Sequence, residues 1–183
     1  RAVATDGHRL ALCDMEVDLV LSDSRQVIVP RKGIQELQRL LEGSDDPVQV
    51  EVGSNHIRIR GDDVCFTSKL VDGRFPDYER VLPKGGDKHV RANRELFRQA
   101  LSRTSILSNE KYRGIRLNLE QNNIRIQAHN PEQEEADEEF EVDYQGASLE
   151  IGFNVTYLLD VLGTVRSDEV EITLSDSNRS YLI

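Results

Sequence analysis

Asp6 and His8, two positions apart across Gly7, are an acid and a base of the kind a hydrolase uses to move a proton. The same three residues are also the composition of a tight turn between two short apolar runs. Asp62-Asp63 and the cluster Glu134–Glu139 offer hard oxygen ligands that suit Mg²⁺. Acidic runs are more simply solvated faces, however. His8, His56, His89 and His129 are scattered, and Cys13 and Cys65 lack the spacing of a zinc site, so no metal is expected. There is no Gly-rich phosphate loop and no His-x-x-x-His pair, so no cofactor is expected either. The catalytic reading reduces to Asp6 and His8, and it stays open beside two non-catalytic ones, a DNA-binding protein and a plain protein-interaction adaptor.

Those residues must be positioned by a chain of 183 residues with 38% hydrophobic and 31% charged residues and no Trp. That is a globular composition sufficient for one or two domains. The net charge is −10, so the chain taken whole repels polyphosphates and anionic membranes. No apolar run approaches the roughly 18 residues of a membrane span, so no membrane role is expected. Two unpaired cysteines fit a reducing, cytoplasmic compartment. The chain opens on Arg1 and stops at Leu182-Ile183 in mid-pattern, which reads as a piece of a longer protein.

Short strands alternate with a few helices. Strands are predicted at Ala2–Thr5, Leu10–Met15 and Val27–Val29, the last running into Pro30 in a first helical turn. A helix follows to about Glu42, with Ile34, Leu37, Leu40 and Leu41 on one face, and ends at Gly43. Alternation at Val48, Val50 and Val52 resumes at Ile57 and Ile59 after Ser54-Asn55, a hairpin signature. Beyond it come a strand at Lys88–Arg91, a helix at Asn93–Leu107, and strands at Gly114–Leu119 and Ile124–Ala128. Strands at Phe140–Tyr144 and Leu149–Phe153, a helix at Asn154–Leu162, and strands at Val170–Leu174 and Arg179–Ile183 complete the pattern.

Part of this order occurs twice, with a period of about 123 residues. Val29-Pro30, Ile34, Leu37 and Leu41 align with Phe153-Asn154, Leu158, Val161 and Val165, and Glu16-Val17-Asp18 falls on Glu141-Val142-Asp143. Charge is unevenly spread across the repeat. Residues 84–116 carry 9 bases against 3 acids, whereas residues 130–183 carry 2 bases against 14 acids. At about 100° per residue, the helix from Asn93 puts Leu96, Phe97, Ala100, Leu101 and Thr104 in one arc and leaves Arg94, Arg98 and Arg103 outside it. The Pro30 helix likewise opposes its apolar stripe with Arg31, Lys32 and Arg39. Two such helices in an acidic chain could hold a duplex by its phosphates without coating the protein in nucleic acid.

Thr5-Asp6-Gly7-His8-Arg9-Leu10-Ala11, Val27-Ile28-Val29-Pro30-Arg31-Lys32-Gly33 and Phe75-Pro76-Asp77-Tyr78 resemble the β sliding clamp family of bacterial DNA polymerase III. So do the runs Thr67–Lys84, Ile106–Leu117, Asn130–Asp137 and Ile151–Leu162, in collinear order along almost the whole chain. The resemblance implies an α+β fold of tandem clamp domains, with antiparallel sheets outside and basic helices inside. Residues 1–77 would be the later part of the middle domain. Residues 78–183 would be the third domain without its terminal strand and tail.

What the resemblance implies about function is a non-catalytic processivity factor, a ring-shaped homodimer around double-stranded DNA of any sequence. This chain alone would not close such a ring. Arg31, Lys32 and Lys84 match DNA-facing positions, and helix geometry adds Arg94, Arg98 and Arg103. Polymerase and clamp-loader subunits would dock through short linear motifs in a groove. Its deeper pocket would use Thr5, Gly7, His8, Arg9, Leu10, Pro76, Arg80 and Val81, and its shallower one Asn154, Tyr157 and Ser180. Ile106 and Leu107 read from the residues alone as core, while the resemblance puts them at the subunit contact.

Overall fold

The computed structural model describes residues 1–17, 25–176 and 180–183. Asp18, in the repeat alignment, and Arg179, at the start of the last expected strand, lie outside the described residues. Two compact units are present: Arg1–Ala2 with Leu12–Asp77, and Val3–Ala11 with Tyr78–Ile183.

The chain opens with β1 (Ala2–Thr5) and β2 (Leu10–Cys13), a two-stranded pair joined by the Asp6–Arg9 turn. In the first unit, α1 (Arg31–Leu40) precedes the antiparallel sheet β3 (Gln49–Val52), β4 (His56–Arg60) and β5 (Cys65–Lys69). The predicted hairpin is present, with Val50 opposite Ile59 and Val52 opposite Ile57. The third strand, β5, escapes the sequence reading because Cys65, Phe66, Thr67 and Ser68 carry no apolar alternation.

Three expectations for this unit are corrected. Val27–Val29 is not a strand among the described elements; its recorded backbone bond runs from the Val71 amide to the Ile28 carbonyl. Pro30 stands just before the helix, extended at ψ 142°, and its carbonyl accepts the Ile34 amide. The α1 stripe is only partly covered, since Ile34 is 48% and Leu40 43% exposed while Leu37 packs on the Ile57, Ile59 and Leu70 cluster. Gly33 is the buried residue of this helix, and a Cβ there would meet the Ser68 hydroxyl. Glycine at this position lets the helix approach β5 without displacing the Ser68 hydroxyl.

The second unit is built more deeply. It contains β6 (Lys88–Asn93), α2 (Arg94–Thr104), β7 (Gly114–Glu120), β8 (Asn123–His129) and β9 (Glu135–Glu141). β10 (Leu149–Asn154), α3 (Val155–Thr164) and β11 (Glu169–Leu174) follow. The strands form an antiparallel sheet in the order β10-β7-β8-β9 and a pair β11-β6. Val90, Phe97, Leu101, Ile124, Ile126, Val155 and Leu162 are fully buried between sheets and helices. Asn93 caps α2 by accepting the Leu96 amide, and Asn154 caps α3 by accepting the Thr156 amide.

Here too the boundaries shift. α2 stops at Thr104, and Ser105–Leu107 is a 3₁₀ turn. The expected strand at Phe140–Tyr144 is centred instead on Glu135–Glu141, with Asp143 contributing one isolated bridge to Arg91. The last expected strand reduces to a bridge between Leu182 and Thr173.

Candidate functional site

The Asp6–Arg9 turn is shaped by its own polar atoms. Asp6 Oδ1 accepts the amides of His8 and Arg9, both at 3.0 Å. Thr5 Oγ1 donates to the Arg9 carbonyl and accepts the Gly7 amide, and Gly7 sits at φ +87°, a conformation glycine adopts without strain. The amide of His8, then that of Arg9, draws the Asp6 pKa from 3.8 down to about 2. Asp6 is therefore a fixed carboxylate that reaches the backbone of His8, and no bond from it to the His8 ring is recorded. A group so weakly basic and so fully engaged is poorly suited to proton transfer, which removes the geometric support for hydrolysis.

The turn meets α3. Arg9 Nη1 lies 2.5 Å from Asp160 Oδ2, and its Nε donates to Asp6 Oδ2 at 3.1 Å. The same guanidinium lies 4.6 Å from the centroid of the Tyr157 ring, a cation–π distance. The His8 ring is stacked on Tyr157 with centroids 6.2 Å apart and an interplanar angle of 24°. Expected residues from opposite ends of the sequence, His8, Arg9 and Tyr157, thus form one surface. Asp160 completes it, and sequence reasoning misses this residue. Its only signal there is a carboxylate one helical turn beyond Tyr157.

The remaining residues expected in a groove are placed as follows. Leu10 is half-buried, and Thr5 and Gly7 are exposed in the turn. Asn154 is half-buried, its carboxamide oxygen on the Thr156 amide and its nitrogen donating to the Tyr112 carbonyl at 3.3 Å. Ser180 and Pro76 are exposed, Arg80 ends a 3₁₀ turn at Tyr78–Arg80, and Val81 after it is 61% exposed.

The six cations divide into two groups. Arg31, Lys32 and Lys84 are exposed, and none has an ion pair among the described residues. Arg94 instead turns into its own unit and donates to the carbonyls of Leu162 at 3.1 Å and Ser167 at 2.8 Å. Arg98 is held by Glu95 at 2.7 and 3.0 Å, and Arg103 by Glu138 at 2.6 and 2.9 Å. The Arg98 guanidinium, followed by the Gln99 amide, lowers the Glu95 pKa to about 2. Helix geometry put these arginines on the polar side of α2, where its wheel shows Glu95 beside Arg98 but neither the carbonyls that take Arg94 nor Glu138, which takes Arg103.

Ile106 is 77% exposed and Leu107 half-buried, so the core reading suits Leu107 and fails for Ile106. Among the described residues, no group of three or more His, Cys, Asp and Glu side chains could hold a metal ion. No described helix is long and apolar enough to cross a membrane.

Two antiparallel α+β units in series, each carrying a helix with basic residues, are the architecture of a clamp protein. The chain belongs to the DNA polymerase III beta subunit family, whose central domain matches residues 1–77 and whose C-terminal domain matches residues 79–183. It is 62% identical to the beta sliding clamp of Pseudomonas putida KT2440 over 183 residues, all of this chain and 50% of that protein. The DNA polymerase III subunit beta of Pseudomonas aeruginosa superposes with a TM-score of 0.94 at 60% identity, covering 98% of this chain and 49% of that one. A Pseudomonas aeruginosa sliding clamp bound to griselimycin matches equally well, over 98% of this chain and 48% of that one. The chain spans about half the length of the relatives it matches.

Proposed function

We propose that this chain supplies the later part of the middle domain (residues 1–77) and most of the third domain (residues 78–183) of a bacterial sliding clamp. The whole subunit works as a ring-shaped homodimer around duplex DNA in the cytoplasm. It holds the polymerase, the clamp loader and other replication and repair proteins by short linear motifs, and it carries out no catalysis. The observation that carries this reading is the collinear match of two successive clamp domains over the full 183 residues at 62% identity.

The physics of such a tether is topological. A closed ring cannot leave DNA sideways, so its phosphate contacts can be weak, exchangeable and independent of sequence. Arg31, Lys32 and Lys84, exposed and unpaired among the described residues, are the cations best suited to those contacts. Arg98 and Arg103 join them only where a phosphate displaces Glu95 or Glu138, and Arg94 serves its own unit first.

The groove residues combine apolar Leu10, Pro76 and Val81 with polar groups on His8, Arg9 and Arg80, and with Asn154, Tyr157 and Ser180. Such a mixture suits capture of a short apolar peptide fixed at a few polar points. Exposed Ile106 with Leu107 supplies the contact to the second subunit.

The test is retention of the full-length subunit, loaded by its clamp loader, on DNA of two topologies. It is expected to stay on nicked circles and to slide off the same DNA once linearised. Equal dissociation from both would overturn the reading. Turnover of phosphodiester or ester substrates abolished by Asp6→Asn would favour a hydrolase instead.

A further inference from the structure

We propose that Asp160 is a positioning residue of the groove, one that acts through Arg9 to hold the Thr5–Leu10 turn beside Tyr157. The inference rests on the peptide-groove reading above. The turn is pre-shaped by local bonds, Asp6 to the His8 and Arg9 amides and Thr5 to the Arg9 carbonyl, which set its curvature but not its direction. Direction needs a contact with another element. Arg9 provides it, with Nη1 on Asp160 at 2.5 Å and Nε on Asp6 at 3.1 Å.

One guanidinium thus links the carboxylate that shapes the turn to a carboxylate on α3. Asp160 lies one helical turn after Tyr157, on the same side of α3. A guanidinium held by Asp160 is therefore brought over the neighbouring ring, 4.6 Å from its centroid, and the adjacent His8 is stacked on that ring. Remove the charge at 160 and Arg9 keeps Asp6 and the face of Tyr157 but loses its charged anchor on the helix. His8 and Leu10, on either side of Arg9 in the chain, are then held less firmly relative to Tyr157. Both partners are partly exposed, at 40% and 54%, so the link is modest and sensitive to salt.

The experiment titrates griselimycin into the full-length subunit by calorimetry, at low and high salt, alongside thermal unfolding. Asp160→Asn keeps the shape and removes the charge. It is expected to weaken griselimycin binding by about two- to fivefold at low salt, with an unchanged melting temperature. Raising the salt should close the gap between the native protein and the variant. Arg9→Gln combined with Asp160→Asn should bind no more weakly than Arg9→Gln alone, because both act through one ion pair. Native affinity in Asp160→Asn, with at least tenfold weakening in Tyr157→Ala, would overturn the role of Asp160 and leave the groove standing. Native affinity in Tyr157→Ala and Leu10→Ala as well would overturn the groove reading, and this inference with it.

Discussion

Arg103 on α2 and Glu138 on β9 face each other through two parallel contacts, Nε to Oε1 at 2.6 Å and Nη2 to Oε2 at 2.9 Å. Glu138 occupies a position of β9 whose neighbours two residues away, Ala136 and Phe140, are also turned inward. An arginine that looks available on a helical wheel is therefore the partner of an inward carboxylate. Bidentate pairing of this kind is directional as well as electrostatic.

Reversal of Arg103 to Glu should lower the melting temperature by a few degrees, because two carboxylates would then face each other. The exchange of both residues, Arg103→Glu with Glu138→Arg, should recover most of that decrease. Calorimetric melting of the two single variants and the double variant checks this. A helix cation engaged solely with DNA would show no such rescue.

Arg31 and Lys32 should behave in the opposite way. Charge reversal at either leaves thermal unfolding unchanged, since neither has an ion pair among the described residues. On the clamp reading proposed above, the salt dependence of the full-length subunit's DNA affinity should instead become shallower by about one unit of slope for each phosphate no longer neutralised. Adding Arg98→Glu to Lys32→Glu should weaken loading further without unfolding the protein.

The Asp6 turn has a defined pH window. Its carboxyl titrates at about 2 in the folded chain against the ordinary 3.8, so the folded state favours the ionised form. That contribution is fully present above pH 4 and disappears as the pH falls through about 2. The carboxyl carbon chemical shift of Asp6 should stay constant down to pH 4 and move below it. A midpoint near 3.8 would mean that the two amide bonds are absent in solution.

Phe97 is fully buried, and its ring lies 5.6 Å from that of Phe140. Phe97→Ala should cost about 3–5 kcal/mol in denaturant unfolding of the second unit. Removing the α2 cap by Asn93→Ala should cost about 1 kcal/mol in the same measurement.

Ile106 is the other side of that contrast. Because it is 77% exposed, Ile106→Asp should leave melting of this chain unchanged. On the proposal that Ile106 lies at a subunit contact of the full-length protein, the same change should shift sedimentation from dimer towards monomer, since a charge buried there is costly without a partner.

The order of elements was legible wherever one side of an element is buried and the other wet. α2, α3, β7, β8 and the β3-β4 hairpin all show that contrast in their residue types. β5 and β9 do not, for different reasons. β5 belongs to a thin core and carries polar residues, whereas β9 satisfies its inward position with Glu138 and the remote Arg103. Val27–Val29 has the residues of a strand but lacks a ladder partner among the described elements, and β propensity expresses itself only where one exists.

The family itself, and with it the fold class, could be read from ordered local runs such as the Thr5–Ala11 and Phe75–Tyr78 segments. These depend on residues close together in the chain, because turn chemistry and periodicity are short-range. What tertiary structure decided was which charges are already spent. Arg9 finds Asp160 across 151 positions, Arg94 finds the Leu162 carbonyl across 68, and Arg103 finds Glu138 across 35, while Arg31 and Lys32 find none among the described residues. Hydrogen bonds and ion pairs act over a few ångströms of space regardless of sequence separation, so family resemblance and helical geometry could name these cations but could not sort them.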